Sequence, residues 1–332
     1  MITSLNRLSI VIVTWNGDHL LKDCLDSLIT VYGTLPETVV VDNANLSSTA
    51  ALVGSYANAK YVPLPENRGF AGGNNAALPF CTKDFILLLN NDTKFTADSI
   101  APLVAFMDEH SNCAAAQGKI LLPNGRLDGT GGFLNPLGTL AFRNAFAKDN
   151  PTSDIPERVL TVGGAFFLAR RSAIAAAGGL FYDHFKSYYE EIDFCIRLNL
   201  AGFECWYVPT PPILHIHSAT ANRIGWDRIK RQYYRNIWFS NLTCFGFWTR
   251  LRFCTTLLAL GLAESFYWIV RGKTQPLKAH LLAIADAFRN RKQIVKTRNH
   301  LLQLRKLTDR QFRQFAIRSQ PWSYYKAMLR RG

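Results

Sequence analysis

The chain has 332 residues, of which 48% are hydrophobic and 19% are charged. This length allows a large core and more than one folded unit, and the composition excludes a chain that is disordered throughout. The formal net charge of +14 comes from the C-terminal end, because residues 1–270 hold 22 basic and 22 acidic residues whereas residues 271–332 hold 16 and 2. The body is neutral and the basic end lacks regular aromatic interleaving, so we expect no nucleic-acid partner.

The seven cysteines are odd in number and show no CxxC spacing. They indicate neither a disulfide framework nor a zinc site, and they favour a reducing compartment. The N-terminal stretch 1–17 carries no basic region and no small-residue cleavage site, so we interpret it as leading into a first strand.

Apolar runs and helical patterns alternate through the first half of the chain. We predict strands at LSIVIVT (8–14), TVVVDN (38–43), KYVPL (60–64) and DFILLLNND (84–92), with a helix after each of the first two. FAGGNNAALPF (70–80) is expected to begin as a loop and to end as a helix. This alternation predicts a doubly wound α/β sheet.

The pattern changes after a predicted helix near residues 98–110. Asn124-Gly125 predicts a hairpin turn, and the glycine-rich stretch 129–138 is expected to be a mobile loop. Residues 158–171 predict one strand, residues 190–202 a helix, and residues 203–209 a further strand that leads into ILHIHS (213–218).

Residues 252–270 are strongly apolar, with Glu264 inside the run and basic residues on both sides. Crossing a bilayer with a carboxylate near the middle costs a few kcal/mol, so we expect a helix that lies against the membrane or against the domain. The residues after it resemble basic amphipathic helices, for which an anionic lipid surface is the expected partner. We place the domain boundary at residue 240, with halves of about 1–118 and 119–240 and a helical region at 241–332.

Polar side chains follow three of the predicted strands. Thr14 to Asn16 end the first strand, Asp42 ends the second, and Asn90 to Asp92 end the fourth. The carboxyl ends of parallel strands meet at one edge of a sheet, where such folds bind ligands. A single strand-end acid is usually a turn former, but three such sites indicate a pocket.

These segments also resemble a known family. SIVIVTWNG, VVVDN, ENRGFAGGNNAAL, LLLNNDT, GGAFFLARR, YYEEIDFCIRLNLAGF and HIHS stand in the order found in family 2 glycosyltransferases, especially the rhamnosyltransferase-like branch. The resemblance covers about residues 8–240. It implies the GT-A fold, a Rossmann-like and mostly parallel sheet flanked by helices, and inverting transfer from a nucleoside diphosphate sugar with a divalent metal. LLLNNDT takes the place of the family's DxD motif.

The resemblance implies a Mg²⁺ or Mn²⁺ site with Asp92 as a ligand and His215 as a second, with His217 as the rival. Such cations bind oxygen ligands and are often completed by substrate phosphates, where they neutralise the leaving diphosphate. Asn90 stands where the family's first Asp approaches the ribose, and it brings no charge, so we expect weak metal affinity. A histidine that merely bonds a backbone carbonyl is the structural alternative.

An inverting reaction needs a base for the acceptor hydroxyl, and the resemblance assigns this role to Glu191. The family usually has Asp at that position, so the side chain here is one methylene longer. The alternative is that Glu190 and Glu191 are only charges at a helix N-terminus. Asp193 and Arg197, four residues apart, are expected to form an ion pair on the helix surface.

The resemblance also implies residues that bind the donor. Asp42 would read the imide edge of uracil or thymine, with a turn former as the alternative, and Asn67, Arg68 and Gly69 would wrap the nucleotide. The other expected donor contacts are Thr14, Asn16, Asn75, Asn90, Asn91, Gly164 and Arg235.

The sequence therefore predicts a cytoplasmic enzyme, peripheral on the inner face of the cell membrane. Its expected donor is dTDP- or UDP-linked, with dTDP-rhamnose first, and its expected acceptor is a cell-surface glycan or a polyprenyl-linked saccharide. One alternative is a degenerate, non-catalytic GT-A protein that binds glycan or acts as a scaffold. Sugar nucleotidyltransferases are disfavoured because TWNGDHLLKD, after the first strand, is neither glycine-rich nor basic.

Overall fold

The computed structural model describes residues 2–216 and 226–319. The first half of the chain alternates strands with helices, as predicted. Its elements are α1 (Ile2–Leu5), β1 (Leu8–Thr14), α2 (Asp18–Tyr32), β2 (Glu37–Asp42), α3 (Ser47–Gly54), β3 (Ala59–Pro63), α4 (Gly69–Ala77), β4 (Phe85–Asn90), β5 (Thr93–Lys94), α5 (Ile100–Glu109) and β6 (Cys113–Gln117).

The second half contains shorter strands and then only helices in its described part. Its elements are β7 (Ile120–Leu121), β8 (Gly132–Leu134), β9 (Leu140–Phe142), β10 (Glu157–Val159), β11 (Phe166–Arg170), α6 (Arg171–Ala176), α7 (Glu190–Leu200), β12 (Glu204–Tyr207), β13 (Ile213–His215), α8 (Trp226–Cys244), α9 (Phe247–Ile269), α10 (Gln275–Arg289), α11 (Arg291–Leu304) and α12 (Asp309–Ala316).

An eight-stranded sheet forms the centre, in the order β10-β12-β6-β11-β4-β1-β2-β3. Strands β4, β1, β2 and β3 run parallel, and β11 enters antiparallel between β4 and β6. Both faces of the sheet are covered: Ile10 and Ile12 face one core, and Val11 faces the other. This two-sided burial explains why β1, β2 and β4 are continuous apolar runs.

A second, three-stranded sheet has the order β5-β13-β7. Strand β13 is antiparallel to β5, so that His215 pairs with Thr93. This pairing places the histidine beside the residue that follows Asp92, although the two segments are far apart in the chain.

Three sequence predictions about local structure were wrong. The glycine-rich segment after Arg68 is helical from Gly69 onward. Its glycines serve close packing of α4 on β1, because a β-carbon at Gly73 would lie 2.7 Å from the Val13 side chain. The stretch 129–138 contains β8, which pairs with β9 in a hairpin. Residues 158–171 form two strands, β10 and β11, at different positions of the large sheet.

The C-terminal helices pack on the body of the protein. Ile294, Leu301 and Phe312 are buried in the same core as one face of the large sheet. The backbone N–H groups of Lys306 and Leu307 both donate to the Leu200 carbonyl, at 2.8 and 3.0 Å. The helices therefore share the hydrophobic core of the sheet. Across the described residues, none of the helices combines the length and the apolar character needed to cross a bilayer.

Candidate active site

The strand-end residues meet at one edge of the sheet, as predicted. Asn90 pairs with Val13, and Thr14 pairs with Asp42, in the parallel register of β4, β1 and β2. The Asn91 side-chain amide donates to Thr14 Oγ1 at 3.0 Å and so ties the turn after β4 to the end of β1. Asn16 lies just beyond β1, exposed and with a left-handed backbone (φ 53°).

Asp92, Asp128 and His215 form what we call the strand-end cluster. Asp92 Oδ1 lies 3.2 Å from His215 Nε2, and Asp128 Oδ2 lies 2.8 Å from His215 Nδ1. The Asn90 amide nitrogen lies 3.4 Å from the same Nε2 atom. Asp92 and His215 are buried, at 8% and 6% exposure. The imidazole is held at both nitrogens, and one of these bonds points to the predicted metal ligand.

The protonation of His215 follows from these contacts. Burial acts to lower its pKa, but the hydrogen bonds and charges of Asp128 and Asp92 outweigh burial and raise the pKa to about 9. The cluster thus favours a positive charge next to Asp92.

The donor set of the cluster fits a small divalent cation. Asp92 offers a carboxylate oxygen, and His215 offers an imidazole nitrogen once a bound cation displaces its proton; both are ligand types that Mn²⁺ accepts. Over residues 2–216 and 226–319, no three His, Cys, Asp or Glu side chains are arranged to hold a metal ion. Asp92 and His215 would therefore hold the cation together with oxygens of the donor and water, which is a usual arrangement for such ions. His217, the predicted rival, lies outside the described residues.

Asp42 is buried at the end of β2, and its carboxylate accepts several hydrogen bonds. The backbone N–H groups of Ala44 and Leu46 both donate to it at 2.8 Å, and the Tyr61 hydroxyl donates at 3.0 Å. These bonds close the turn after β2, which is the turn-former arrangement. The role of Asp42 in reading a nucleobase stays a prediction.

The predicted nucleotide-wrapping segment is tied to the chain around residue 183. The Arg68 guanidinium pairs with Asp183, and the Asn75 amide donates to the Phe181 carbonyl at 2.8 Å and to Asp183 Oδ1 at 2.6 Å. The Asn67 carboxamide oxygen accepts the Gly69 N–H at 2.8 Å. The glycine is required at position 69, where φ is 71° and a β-carbon would lie 2.4 Å from the Lys186 carbonyl oxygen.

Helix α7 begins in an unusual backbone segment. Lys186, Tyr188 and Tyr189 all have left-handed φ values, of 58°, 71° and 77°. Side chains other than glycine adopt this region at a cost of about 1 kcal/mol or more each, and such residues concentrate at functional sites. We call residues 185–189 the left-handed loop. It leads directly into Glu190 and Glu191, the first two residues of α7.

Glu190 and Glu191 form the helix-start pair; Glu190 is buried and Glu191 is half-buried. Each has one carboxylate oxygen that is buried without a hydrogen-bond partner. Burial raises the pKa of Glu191 to about 7, and burial together with the charge of Glu191 raises the pKa of Glu190 well above its usual value. A carboxyl group with a pKa near 7 is suited to act as a general base at neutral pH.

The helix-start pair and the strand-end residues are connected through Gly164 and Ala165. A β-carbon at Gly164 would lie 4.0 Å from Glu191 Cγ and 3.5 Å from the Phe70 ring. The next residue, Ala165, accepts the Asn90 backbone N–H at 3.1 Å. The short path from Gly164 to Asn90 thus links the predicted base to the predicted metal site.

Other predicted contacts have structural partners. Arg235, an expected donor contact, donates to the Phe185 carbonyl at 3.0 Å. The predicted surface ion pair of Asp193 and Arg197 forms, at 2.8 Å, but it is buried. The prediction of its location was wrong because the Arg197 guanidinium turns inward to bond backbone carbonyls of residues 177–180.

Sequence reasoning missed two residues of this region. Asp128 bonds His215 from a distance of 87 residues in the chain, and Asn236 bonds the left-handed loop from 48 to 51 residues away. Asp128 stands in no motif, whereas Asn236 ends the Tyr-Tyr-Arg-Asn segment 233–236, in which the sequence singled out Arg235; the tertiary structure identifies the partners of both.

Comparisons with known proteins identify the family and the fold of the chain. The family model described as glycosyl transferase family 2 matches residues 9–176. An uncharacterised protein of Sinorhizobium fredii, y4gI, is 24% identical over 64% of this chain and 24% of its own length. The poly-beta-1,6-N-acetyl-D-glucosamine synthase of Staphylococcus aureus strain COL is 20% identical over 63% of this chain and 49% of its own length. The chain thus spans about half or less of these relatives.

Solved structures share the fold. TarS 1–349 of S. aureus, in complex with UDP-GlcNAc, has a TM-score of 0.57 and 17% identity, with 84% of this chain and 80% of that one covered. GalNAc-T7 with UDP, GalNAc and Mn²⁺ has a TM-score of 0.56 and 15% identity, over 71% of this chain and 47% of that one. At these identities the likeness supports the fold alone, and it confirms the predicted GT-A architecture.

Proposed function

Because the chain belongs to glycosyl transferase family 2, we propose that it transfers a sugar, with inversion, from a nucleoside diphosphate donor to a hydroxyl of a cell-surface glycan or lipid-linked saccharide. The observation that carries the proposal is the proximity of Glu191 to Gly164, whose neighbour Ala165 accepts the backbone N–H of Asn90 at the end of β4, beside the strand-end cluster. Leaving-group stabilisation and a base are the two requirements of such a displacement.

In this reaction Glu191 accepts the proton of the acceptor hydroxyl as that oxygen bonds the anomeric carbon. The bond from the anomeric carbon to the diphosphate oxygen breaks at the same time, and its electron pair leaves with the nucleoside diphosphate. Asp92 and His215 would hold Mg²⁺ or Mn²⁺, which neutralises charge on the leaving diphosphate. Phe70 packs beside Glu191 and helps to keep water from the base.

For the donor we propose dTDP-rhamnose, which the order of the motifs in the rhamnosyltransferase-like branch supports. UDP-GlcNAc is the second donor to test, because it is bound in the TarS structure. The degenerate, non-catalytic alternative gains support from Asn90, which brings no charge where the family has Asp. The buried, unpartnered carboxylate of Glu191 favours catalysis, since a scaffold gains nothing from that destabilising group.

A donor screen tests the proposal. Purified protein is incubated with dTDP-rhamnose, UDP-GlcNAc or GDP-mannose, with Mn²⁺ or with EDTA, while the melting temperature and the release of nucleoside diphosphate are measured. We expect one donor to raise the melting temperature by several degrees with Mn²⁺, since saturation 100-fold above Kd adds about 2.7 kcal/mol. If wild type binds a donor but releases no nucleoside diphosphate even when acceptor extracts are added, the scaffold alternative is supported. Absence of both would refute the proposal.

We further propose that the enzyme works on an anionic membrane surface, at the cytoplasmic face. Helix α9 buries one stripe of residues on the body, among them Phe253 and Leu257, and turns another outward. The outward stripe, which we call the α9 face, is large and apolar; its side chains Trp248, Leu251, Leu258, Leu262, Phe266 and Ile269 are between 44% and 77% exposed.

Charge favours an anionic lipid surface as the occupant of the α9 face. Arg250 and Arg252 lie at one end of the helix, and Arg271 and Lys273 follow the other. Each basic residue near such a surface adds about 1 kcal/mol of attraction, and an apolar stripe between basic ends is typical of interfacial helices. A lipid-linked acceptor would reach the site from the same surface.

Vesicle sedimentation tests this location. We expect wild type to bind vesicles of phosphatidylglycerol and phosphatidylcholine more strongly than vesicles of phosphatidylcholine alone. The triple variant Leu258→Gln/Leu262→Gln/Phe266→Gln should lose at least about ten-fold in binding, since each buried apolar side chain contributes about 1.5 kcal/mol or more. The control Ile155→Gln changes an exposed apolar residue outside the α9 face. Equal binding of the triple variant, or a wild-type dimer that this variant abolishes, would contradict the membrane proposal.

A further inference from the structure

The left-handed loop is fixed from two sides. On one side the Ala71 N–H donates to the Lys186 carbonyl at 2.8 Å, and the Phe70 N–H donates to the Ser187 hydroxyl at 3.2 Å. Both donors belong to helix α4, which begins the predicted nucleotide-wrapping segment. These bonds hold Lys186 and the side chain of Ser187 from the side of α4. The carbonyl groups of Phe185, Ser187 and Tyr188 are bonded from helix α8.

On the other side, one buried side chain of α8 gathers three of those carbonyl groups. The Asn236 amide nitrogen lies 3.0 Å from the Phe185 carbonyl oxygen, 3.2 Å from that of Ser187 and 2.6 Å from that of Tyr188. Asn236 has no exposed surface. Such a convergence of carbonyl oxygens on one amide group compensates a backbone conformation that non-glycine residues otherwise avoid.

The conformation of the loop decides where Glu191 lies. Tyr189 is the last left-handed residue and Glu190 the first residue of α7, so the first turn of the helix starts from the geometry of the loop. Among the described residues, no other side chain forms a hydrogen bond to the Glu191 carboxylate. The position and the burial of this carboxylate therefore depend on the backbone that precedes it.

We propose that Asn236 is a positioning residue: its amide group clamps the left-handed loop, fixes the start of α7 and thereby holds Glu191 in place beside Gly164. The inference rests on the proposed function, because it assigns to Glu191 the part of the base. Asn236 itself contacts the backbone of the loop and acts only through Glu191.

The test compares two variants at position 236 with a control on the same helix. Asn236→Ala removes the amide group, and Asn236→Asp keeps the shape but replaces the donor by an acceptor. The control is Asn241→Ala, which makes the same chemical change at a buried asparagine on a different side of α8. The kcat and KM of each protein are measured from pH 5 to 9 with Mn²⁺ and with whichever of dTDP-rhamnose, UDP-GlcNAc and GDP-mannose wild type cleaves.

Both variants at position 236 should lose about 100-fold in kcat, as small misplacements of reacting groups do, with a donor KM within about two-fold of wild type. The acid limb of the kcat profile should move to lower pH by about one unit, because water that reaches a freed carboxylate lowers its pKa. The control should keep both kcat and the acid limb. A merely structural role would reduce the folded fraction without moving that limb.

Three results would overturn the inference. One is an acid limb that stays in place in both variants while kcat falls only with the folded fraction. Another is wild-type kcat in Asn236→Asp. The third is failure of both variants to fold while Asn241→Ala folds, which would make Asn236 a residue of the core alone. Inactivity of wild type with every donor would instead refute the proposed function, and the inference with it.

Discussion

The strand-end cluster and the helix-start pair both contain acidic side chains, but the acids of the cluster have side-chain partners that those of the pair lack. In the cluster, Asp92 and Asp128 each lie within 3.2 Å of a nitrogen of His215. In the pair, Glu190 and Glu191 each keep a buried oxygen without a partner. The acids of the cluster therefore have a hydrogen-bond partner, whereas burial pushes those of the pair towards the neutral form.

The difference matches two chemical tasks. A carboxylate that would anchor a cation against the leaving diphosphate must be held in place, and hydrogen bonds do this. A base must take up a proton, so it gains from burial without partners, which raises its proton affinity. The carboxyl group thus serves as a ligand in the cluster and as a base in the pair. The surrounding residues determine which of the two roles it takes.

Replacing the base should give the largest effect. Glu191→Gln keeps the shape but removes the proton acceptor, so turnover should fall by about 1,000-fold, within the range for loss of general base catalysis. Release of nucleoside diphosphate measures the loss. Glu190→Gln is the matched control, because burial and the charge of Glu191 raise the pKa of Glu190 and so favour its neutral form, which the amide resembles. Equal losses of turnover in the two variants would show that Glu191 has no role distinct from that of Glu190.

Loss of the cluster's anion should be the next largest effect. Asp92→Asn should lower turnover by about 100-fold or more, because the carboxylate that would anchor the cation against the diphosphate is lost. Extra Mn²⁺ should not restore turnover, since a direct ligand has been replaced. Asp98→Asn serves as the control, because Asp98 caps the start of α5 and lies outside the cluster. Full turnover of Asp92→Asn would remove Asp92 from its proposed role.

Loosening the cluster without removing a ligand should give a smaller effect. Asp128→Asn removes the charged acceptor that holds His215 Nδ1, and such outer partners typically contribute 10- to 100-fold in metal affinity. Titration of turnover with Mn²⁺ should show a higher half-saturation concentration but a recovered plateau. This recovery separates Asp128 from Asp92, and an unchanged titration curve would contradict the orienting role.

The sequence predicted the sheet and the strand-end cluster's location well, for a physical reason. Strands buried on both faces must be apolar throughout, so β1, β2 and β4 are visible as runs, and their polar ends identify the functional edge. The pattern failed where tertiary contact overrides local preference. The glycines of α4 predict a loop, but close packing on β1 keeps them helical.

The rest of the site could not be predicted because its residues act across long chain separations. Asp128 reaches His215 only after β7 and β13 pair in the small sheet. The left-handed backbone of Tyr188 and Tyr189 has no sequence signal, since tyrosine does not favour that region. Asn236 stands in an ordinary helix, and nothing in its neighbours indicates three carbonyl partners.

The smallest expected effect is on stability, and it depends on pH. The pKa of Glu191 is about 7 in the folded protein, against 4.5 for an ordinary glutamate, so the folded state holds a proton that the unfolded state has released between these values. Folding stability must then fall as pH rises through this window.

Glu191→Gln does not lose that stability, so its melting temperature should exceed that of wild type at pH 8 but not at pH 4.5. A difference on the order of 1 kcal/mol corresponds to roughly 2 °C, which scanning calorimetry detects. The inactive variant would then be the more stable protein, because the base is kept at the expense of folding free energy. A gap between the two proteins that stays constant from pH 4.5 to 8 would show that Glu191 titrates normally, and the contrast between the two groups of acids would disappear.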